Sequence, residues 1–241
     1  MKGPCRSRDP RELPAYTTLE AARYLRIPER TLFNWAFGYS YRDQKGRRHT
    51  TDALTNVSDP DRHLLSFVNL AELHVLDALR RAHRVHMQNI RRTVSYIARE
   101  FQAEHPLIHQ QMWTDGVSIF IDYYGHLLNV SREGQLAMRQ LMDAHLQRIE
   151  RDLRGVAVRL FPLTRKRPAE AERIAEEPKV IAIDPAVAFG RPVIAGSRIP
   201  TVEIAERFKA GESIVDLAHD FDRQVAEIEE AVRIELDLEA A

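Results

Sequence analysis

The sequence predicts an α+β protein, mainly helical with small β elements. Three observations carry that expectation. Residues 16–37, YTTLEAARYLRIPERTLFNWAF, hold two short helical patterns broken by a proline. Apolar residues recur at three- and four-residue spacing through 67–104 and again through 134–154. Residues 180–201, VIAIDPAVAFGRPVIAGSRIPT, pack turn-forming residues around two short apolar runs, and helical patterns follow. The expected order is a winged helix-turn-helix over 13–104, a mixed packing or dimerisation region over 105–162, a charged linker over 163–177, and a three-helix domain with a short β-ribbon over 178–241.

Composition bounds the function. The 241 residues are 44% hydrophobic and 29% charged, which suits a folded chain with a buried core. No apolar run is long enough for a transmembrane helix. The start, MKGPCRSRDPREL, lacks the apolar stretch of a secretory signal, so a cytoplasmic setting is expected. A single cysteine, Cys5, excludes an intramolecular disulfide and an all-cysteine zinc site. Net charge is zero but unevenly spread. Residues 1–50 hold eleven Lys/Arg against five Asp/Glu, whereas residues 170–241 hold eight against seventeen. The basic front suits phosphates and the acidic back repels them.

In the front, Thr17-x-x-Glu20 fits a capping box, and Leu19, Ala22 and Leu25 form one apolar face beside Tyr24. Arg26-Ile27-Pro28 breaks the helix, and a second is expected over 29–37 with Leu32 and Trp35 inward, ended by Gly38. Arg30, Thr31 and Asn34 then face outward. Arginine suits guanine and asparagine suits adenine, so these are the base-reading candidates. Residues 38–50, GYSYRDQKGRRHT, read as a hairpin turning near Gln44-Lys45-Gly46. Arg42, Lys45, Arg47 and Arg48 crowd its tip and are the candidate phosphate contacts. TLEAARYLRIPERTLFNW resembles the first helical pair of MerR-type winged domains, and FVNLAELHVLDALRRAHRVHMQNIRR looks like their next two helices. There Asn69 with Glu72 suggests a capping box, Leu70, Leu73, Leu76 and Leu79 suggest core, and Ala82-His83-Arg84 replaces the usual glycine.

The pattern continues as a helix through Val94, Ile97 and Phe101. Residues 110–131, QQMWTDGVSIFIDYYGHLLNVS, read as strands, with turns at Thr114-Asp115-Gly116 and Tyr124-Gly125. Ser131 leads into a long helix to about 154, with Leu136, Leu141, Leu146, Ile149 and Leu153 as its stripe. Gly155 closes it before a strand in VAVRLFP. The pairs His83/His86 and His105/His109 lack a third ligand at supporting spacing, so no metal site is expected. No nucleophile elbow, nucleotide-binding glycine fingerprint or P-loop occurs. The expectation is therefore a protein without catalytic residues, metal or cofactor.

In the back, strands are expected around Val180–Ile183 and Val193-Ile194, with Thr201 capping a helix to 210. Ser213 with Asp216 starts another. A third covers about 224–238, with Val225, Ile228, Val232 and Leu236 inward. A phosphate cradle would need converging amides at a helix start and a lysine, whereas here Pro200 precedes the helix, no lysine is near, and the acidic surroundings oppose an anion. IDPAVAFGRPVIAGSRIPTVEIAERFKAGESIVDLAHDF closely resembles the small domain, long catalogued as of unknown function, of VapB-type bacterial antitoxins. Gly190-Arg191-Pro192 and Gly196-Ser197-Arg198-Ile199-Pro200 carry the likeness most strongly.

The resemblance implies a type II toxin–antitoxin system. Its partners would be a PIN-like ribonuclease toxin, held inactive, and operator DNA, repressed by a homodimer. Phe189, Arg191 and Arg198 are the toxin-binding candidates, the arginines as carboxylate clamps on rigid turns. Both arginines could instead brace their own domain. The rival expectation is a stand-alone MerR-like transcriptional regulator whose middle region senses a small molecule. A DNA-processing enzyme ranks last.

Overall fold

A capping box starts the fold. In the computed structural model, which describes residues 9–81, 87–112, 116–128, 130–163 and 171–239, the strand β1 (Tyr16–Thr17) leads directly into α1 (Thr18–Leu25). Thr17 Oγ1 accepts from the Glu20 amide at 3.2 Å, and the Glu20 carboxylate accepts from the Thr17 amide at 2.9 Å. Arg26 ends the helix in the left-handed region at φ 53°, and Pro28 caps α2 (Glu29–Phe37). The inner face of α1 is Ala21, Ala22 and Leu25, while Leu19 is exposed, against the sequence expectation. Two alanines let the partner helices approach closely, so the larger Leu19 is left outside. Leu32 and Trp35 are buried as expected.

Gly38, at φ 74°, turns the chain into the wing. A Cβ there would stand 2.3 Å from the Thr51 carbonyl oxygen. The wing is β2 (Tyr39–Arg42) paired with β3 (Arg48–Thr51), with Tyr39 opposite Thr51 and Arg42 opposite Arg48. The Leu54 amide donates to the Trp35 carbonyl at 2.7 Å, fastening the returning chain to α2. The strand β4 (Leu64–Leu65) then pairs with β1.

The helix α3 (Phe67–Arg81) is the central post, with Leu70, Leu73, Leu76 and Leu79 all buried. Its cap is not Asn69 with Glu72. Ser66 Oγ accepts from the Asn69 amide, and Asn69 Oδ1 accepts from the Ser66 amide. The box sits three residues earlier, which frees Glu72 for a buried role. After it comes α4 (Met87–Phe101), with Val94, Ile97 and Phe101 inward. The replaced glycine at 82–84, the His83/His86 pair and Thr114-Asp115 lie outside the described residues, as does Cys5.

The strands expected in 110–131 do not occur among its described residues. Instead α5 (Val117–Leu128) is a helix. Its β-branched and aromatic content suggested sheet, but Val117, Phe120, Ile121 and Tyr124 are buried at helical spacing. Tyr124-Gly125 is no turn. Gly125 lies within the helix, where a Cβ would stand 2.6 Å from Gln135 Nε2. It admits α6 (Arg132–Leu146), whose Ser131 cap accepts from the Gly134 amide.

That helix stops eight residues short of expectation. Arg148 follows, then β5 (Ile149–Arg151), a turn at Gly155 and β6 (Ala157–Leu160). Asp152 Oδ1 accepts from the amides of Arg154 and Val156, which sets the turn. Leu136 and the hairpin-tip Leu153 are exposed rather than core.

A six-residue helix, α7 (Ala171–Glu176), lies between β6 and β7 (Ile181–Ile183), which pairs with β8 (Pro192–Ile194). The antiparallel sheet runs in order β5-β6-β7-β8. It therefore joins the middle region to the C-terminal one. Three helices complete the chain, α8 (Thr201–Lys209), α9 (Ile214–Asp220) and α10 (Val225–Glu239). Thr201 is the first residue of α8 and Pro200 is its cap. The Thr201 hydroxyl turns inward toward the Pro192 carbonyl and the Glu235 carboxylate. In α10, Ile228, Ala231, Val232, Ile234 and Leu238 are buried, while Val225 and Leu236 face out.

Arg148 is 1% exposed, and its guanidinium donates to the carbonyls of Phe161, Leu163, Ile174, Glu177 and Pro178. Removing it strands several buried acceptors. Arg148→Ala is expected to cost about 3 kcal/mol or more of stability, read as a lowered denaturant midpoint, with Arg148→Lys recovering only part.

Candidate nucleic-acid interface and partner surface

Helix α2 presents Arg30 to solvent, with Thr31 and Asn34 half-buried. Arg30 and Asn34 share a groove of about 410 Å³ with Glu29, Phe33, Gly38 and Tyr39, between the helix and the wing. Thr31 is not on that lining. The wing's side chains alternate. Ser40, Arg42, Arg48 and Thr50 share one face, while Tyr39, Tyr41, His49 and Thr51 share the other. Lys45 and Arg47 stand exposed at the tip. Asp43 Oδ1 accepts from both their amides at 2.9 Å. His49 Nε2 lies 3.1 Å from Asp43 Oδ2. These contacts, the His49 bond foremost, hold the Asp43 carboxyl below the usual range.

Arg42 donates to the Gly46 carbonyl at 3.2 Å and Arg48 reaches Ser40 Oγ at 3.4 Å. Like charges directly opposite one another repel, so this face suits an anion. The aromatic face went unread in the sequence. Tyr41 stacks on His49 at 5.2 Å, with Tyr39 6.0 Å from Tyr41. Strict two-residue alternation was its signal. Arg91 of α4, also unforeseen, donates to the Asp52 carbonyl behind the wing; nothing local in sequence marks it.

The C-terminal candidates lie on two turns. Ala188 and Phe189 both have left-handed backbones, at φ 45° and 56°. Such conformations are costly for residues with side chains. Phe189 is nevertheless 93% exposed. Next to it, the Gly190 carbonyl accepts from the Tyr16 hydroxyl at 3.0 Å, and a Cβ on Gly190 would stand 2.2 Å from that oxygen. The turn is thus pressed against the start of α1. Burial drives the Tyr16 hydroxyl pKa far upward, so it stays protonated as a donor. Arg26 pairs with Asp237 at 3.0 Å, a second tie between the two ends of the chain.

Arg191 and Arg198 are exposed. Other basic residues of this region are engaged: Lys179 with Gln147, Arg207 with Glu212 and Asp220, Lys209 with Glu206 and Glu239, Arg223 with Glu227, and Arg233 with Glu230 and Asp237. Arg191 and Arg198 have neither a hydrogen bond nor an ion pair among the described residues.

Among the described residues no group of three or more His, Cys, Asp or Glu is placed to hold a metal ion. His105 instead faces Glu72. Its Nδ1 lies 3.1 Å from Glu72 Oε2, and Glu72 is 1% exposed. The same carboxylate accepts from the Thr55 hydroxyl and the Leu107 amide.

Residues 14–94 match a family described as "Putative DNA-binding HTH domain". Residues 181–233 match another described as "Protein of unknown function (DUF433)". Over most of its length the chain is similar to a protein named as an antitoxin. That relative, "Putative antitoxin VapB45" of Mycobacterium tuberculosis strain H37Rv, is 29% identical over 227 residues, which are 87% of this chain and 89% of the relative. The crystal structure of Rv2018 from Mycobacterium tuberculosis has the same fold, with a TM-score of 0.66 at 23% identity over 92% of this chain and 98% of that one. The first family spans α1, α2 and the wing, and the second spans both arginine turns. Among the described residues no helix is long and apolar enough to cross a membrane.

The His105 pair has a pH signature. Burial alone would lower the imidazole pKa, but Glu72, with Glu104 and Glu12, outweighs it, and the result lies above the ordinary 6.5. A pKa raised on folding adds stability that is full below about 6.5 and is lost as pH rises through the folded value. Melting temperatures between pH 6 and 8 should therefore fall for the native protein relative to His105→Gln, and the two curves should converge toward the alkaline end.

Proposed function

We propose that this protein is the antitoxin of a type II toxin–antitoxin pair. It binds and inhibits a PIN-like ribonuclease and, as a homodimer on operator DNA, represses its own operon. It acts by binding, without catalysis. The observation that carries the toxin half is the pairing pattern in the acidic C-terminal region. The other basic residues of 178–241 are internally engaged, whereas Arg191 and Arg198 are exposed with no hydrogen bond or ion pair among the described residues, and Arg191 follows an exposed phenylalanine on a strained turn. Strain and exposure together cost stability and gain nothing within the chain. A nuclease that gathers carboxylates around magnesium offers the matching chemistry.

The DNA half is supported by the groove shared by Arg30, Asn34 and the wing, and by the family match over the same residues. The name of the mycobacterial relative supports the whole. Charge separates the two roles, since α10 carries Glu227, Glu229, Glu235, Asp237 and Glu239, a poor surface for phosphates.

On the operator upstream of its own gene, Arg30→Ala and Asn34→Ala should each cost about 1–3 kcal/mol of affinity and relax base preference. Lys45→Ala and Arg47→Ala should each lower the salt slope by about one without changing preference. Gel-shift titrations at several salt concentrations separate these outcomes. For the toxin half, Phe189→Ser, Arg191→Ala and Arg198→Ala are expected to weaken inhibition of the ribonuclease encoded by the adjacent reading frame, measured by RNA cleavage in a purified mixture. Full inhibition by the triple variant would remove this assignment while leaving the DNA half standing.

A further inference from the structure

A cavity of about 320 Å³ opens between the end of α4, the turn at 106–108 and the β5–β6 hairpin. Its size is at the lower end for small-molecule sites. Val68, Ala103, Ile108 and Ala157 give it an apolar floor. Glu12 and Glu104 stand on the lining, and neither has a hydrogen bond or ion pair among the described residues. Arg154 is the one guanidinium there, so the fixed charges leave an excess of one negative charge.

His105 also lines the cavity. Its Nδ1 is committed to Glu72, which places the proton on that nitrogen in the neutral ring and leaves Nε2 as an acceptor. Behind His105 the contacts run on to the wing. Glu72 Oε2 takes both His105 Nδ1 and the Thr55 hydroxyl. Thr55 Oγ1 accepts from Asn69 Nδ2 at 3.2 Å, and Asn69 Nδ2 also donates to the Asn56 carbonyl at 2.6 Å. Residues 54–58 are the segment that returns from the wing, fastened to α2 at Leu54 and to Asn69 at Ser58.

We propose that this cavity binds a small organic ammonium ion and that its occupancy is transmitted to the wing through Glu72 and Thr55. The ammonium lies between Glu12 and Glu104 and donates to His105 Nε2, with its alkyl body on the apolar floor. A monovalent cation matches the charge excess. The apolar floor, and the lack of a metal-holding cluster among the described residues, select an organic cation over a metal. Donation to Nε2 polarises the imidazole and strengthens its Nδ1–H bond to Glu72 Oε2. Thr55 then competes less well for the same oxygen, and the 54–58 segment loosens. The site belongs to a part of the chain with no role in the antitoxin reading and does not depend on it.

The test uses the full chain, n-butylammonium as probe and butyrate, of the opposite charge, as control, at pH 8.5, alkaline of the range over which His105 loses its proton. The His105 ring resonances should shift saturably with n-butylammonium and not with butyrate, and amide exchange over 54–58 should accelerate in parallel. Glu12→Gln combined with Glu104→Gln should weaken the response about tenfold, while the folded spectrum is kept because both side chains lie on the surface. An equal response to both probes, or an undiminished one in the double variant, overturns the site. A saturable His105 shift with unchanged exchange over 54–58 overturns the transmission.

Discussion

The guanidinium of Arg148, sealed beneath the end of α6, decides how the two halves of this chain meet. Its donors reach five main-chain carbonyls, at Phe161, Leu163, Ile174, Glu177 and Pro178. Those carbonyls belong to the end of β6, to α7 and to the approach to β7. A planar fork of donors suits such a task where a lysine's single ammonium would not. Burial lowers the group's pKa to about 10, so it still carries its charge at neutral pH. The charge is solvated by peptide dipoles in place of water. With the connecting chain gathered in this way, β7 can add to β6, and one sheet spans what would otherwise be two separate domains.

That continuity has functional consequences. The C-terminal turn bearing Phe189 is seated on Tyr16, the residue that opens the helix-turn-helix. Arg26, at the bend between α1 and α2, is tied to Asp237 near the end of α10. A partner gripping the Phe189 turn would therefore press on the same strand, β1, that positions α1. The basic wing and the Phe189 turn are held in one frame, and flexible-linker behaviour is not what the contacts favour. Charge is segregated between them, basic at the wing and acidic around α10.

The exposed Phe189 is the clearest departure from economy in the molecule. Left-handed backbone at two successive non-glycine residues and an unburied aromatic ring both oppose folding. The surrounding turn holds them because Gly190, which alone can approach the Tyr16 hydroxyl so closely, fixes the path. A similar logic governs Glu72, a carboxylate surrounded by α3 neighbours and satisfied by three donors from distant segments.

Local chemistry made the ends of the chain readable. The Thr17–Glu20 box, the Arg26-Ile27-Pro28 break, Gly38 and the basic hairpin act within a few residues of themselves, so the sequence alone determined the helix-turn-helix and its wing. The same holds for the turns around Gly190 and Gly196 and for the Ser213 cap. The middle was settled elsewhere. VSIFIDYYGHLL satisfies strand propensity and helix periodicity at once, and only packing against α4 and α6 chose the helix. Nothing near Arg148 in sequence announces five carbonyls up to thirty residues away, and nothing near His105 announces Glu72. Long-range hydrogen bonds to a buried charge leave no periodic trace, because their partners are fixed by where the chain returns in space. Tertiary structure therefore decided the continuous sheet, the place of Glu72 and the docking of the last domain on the first.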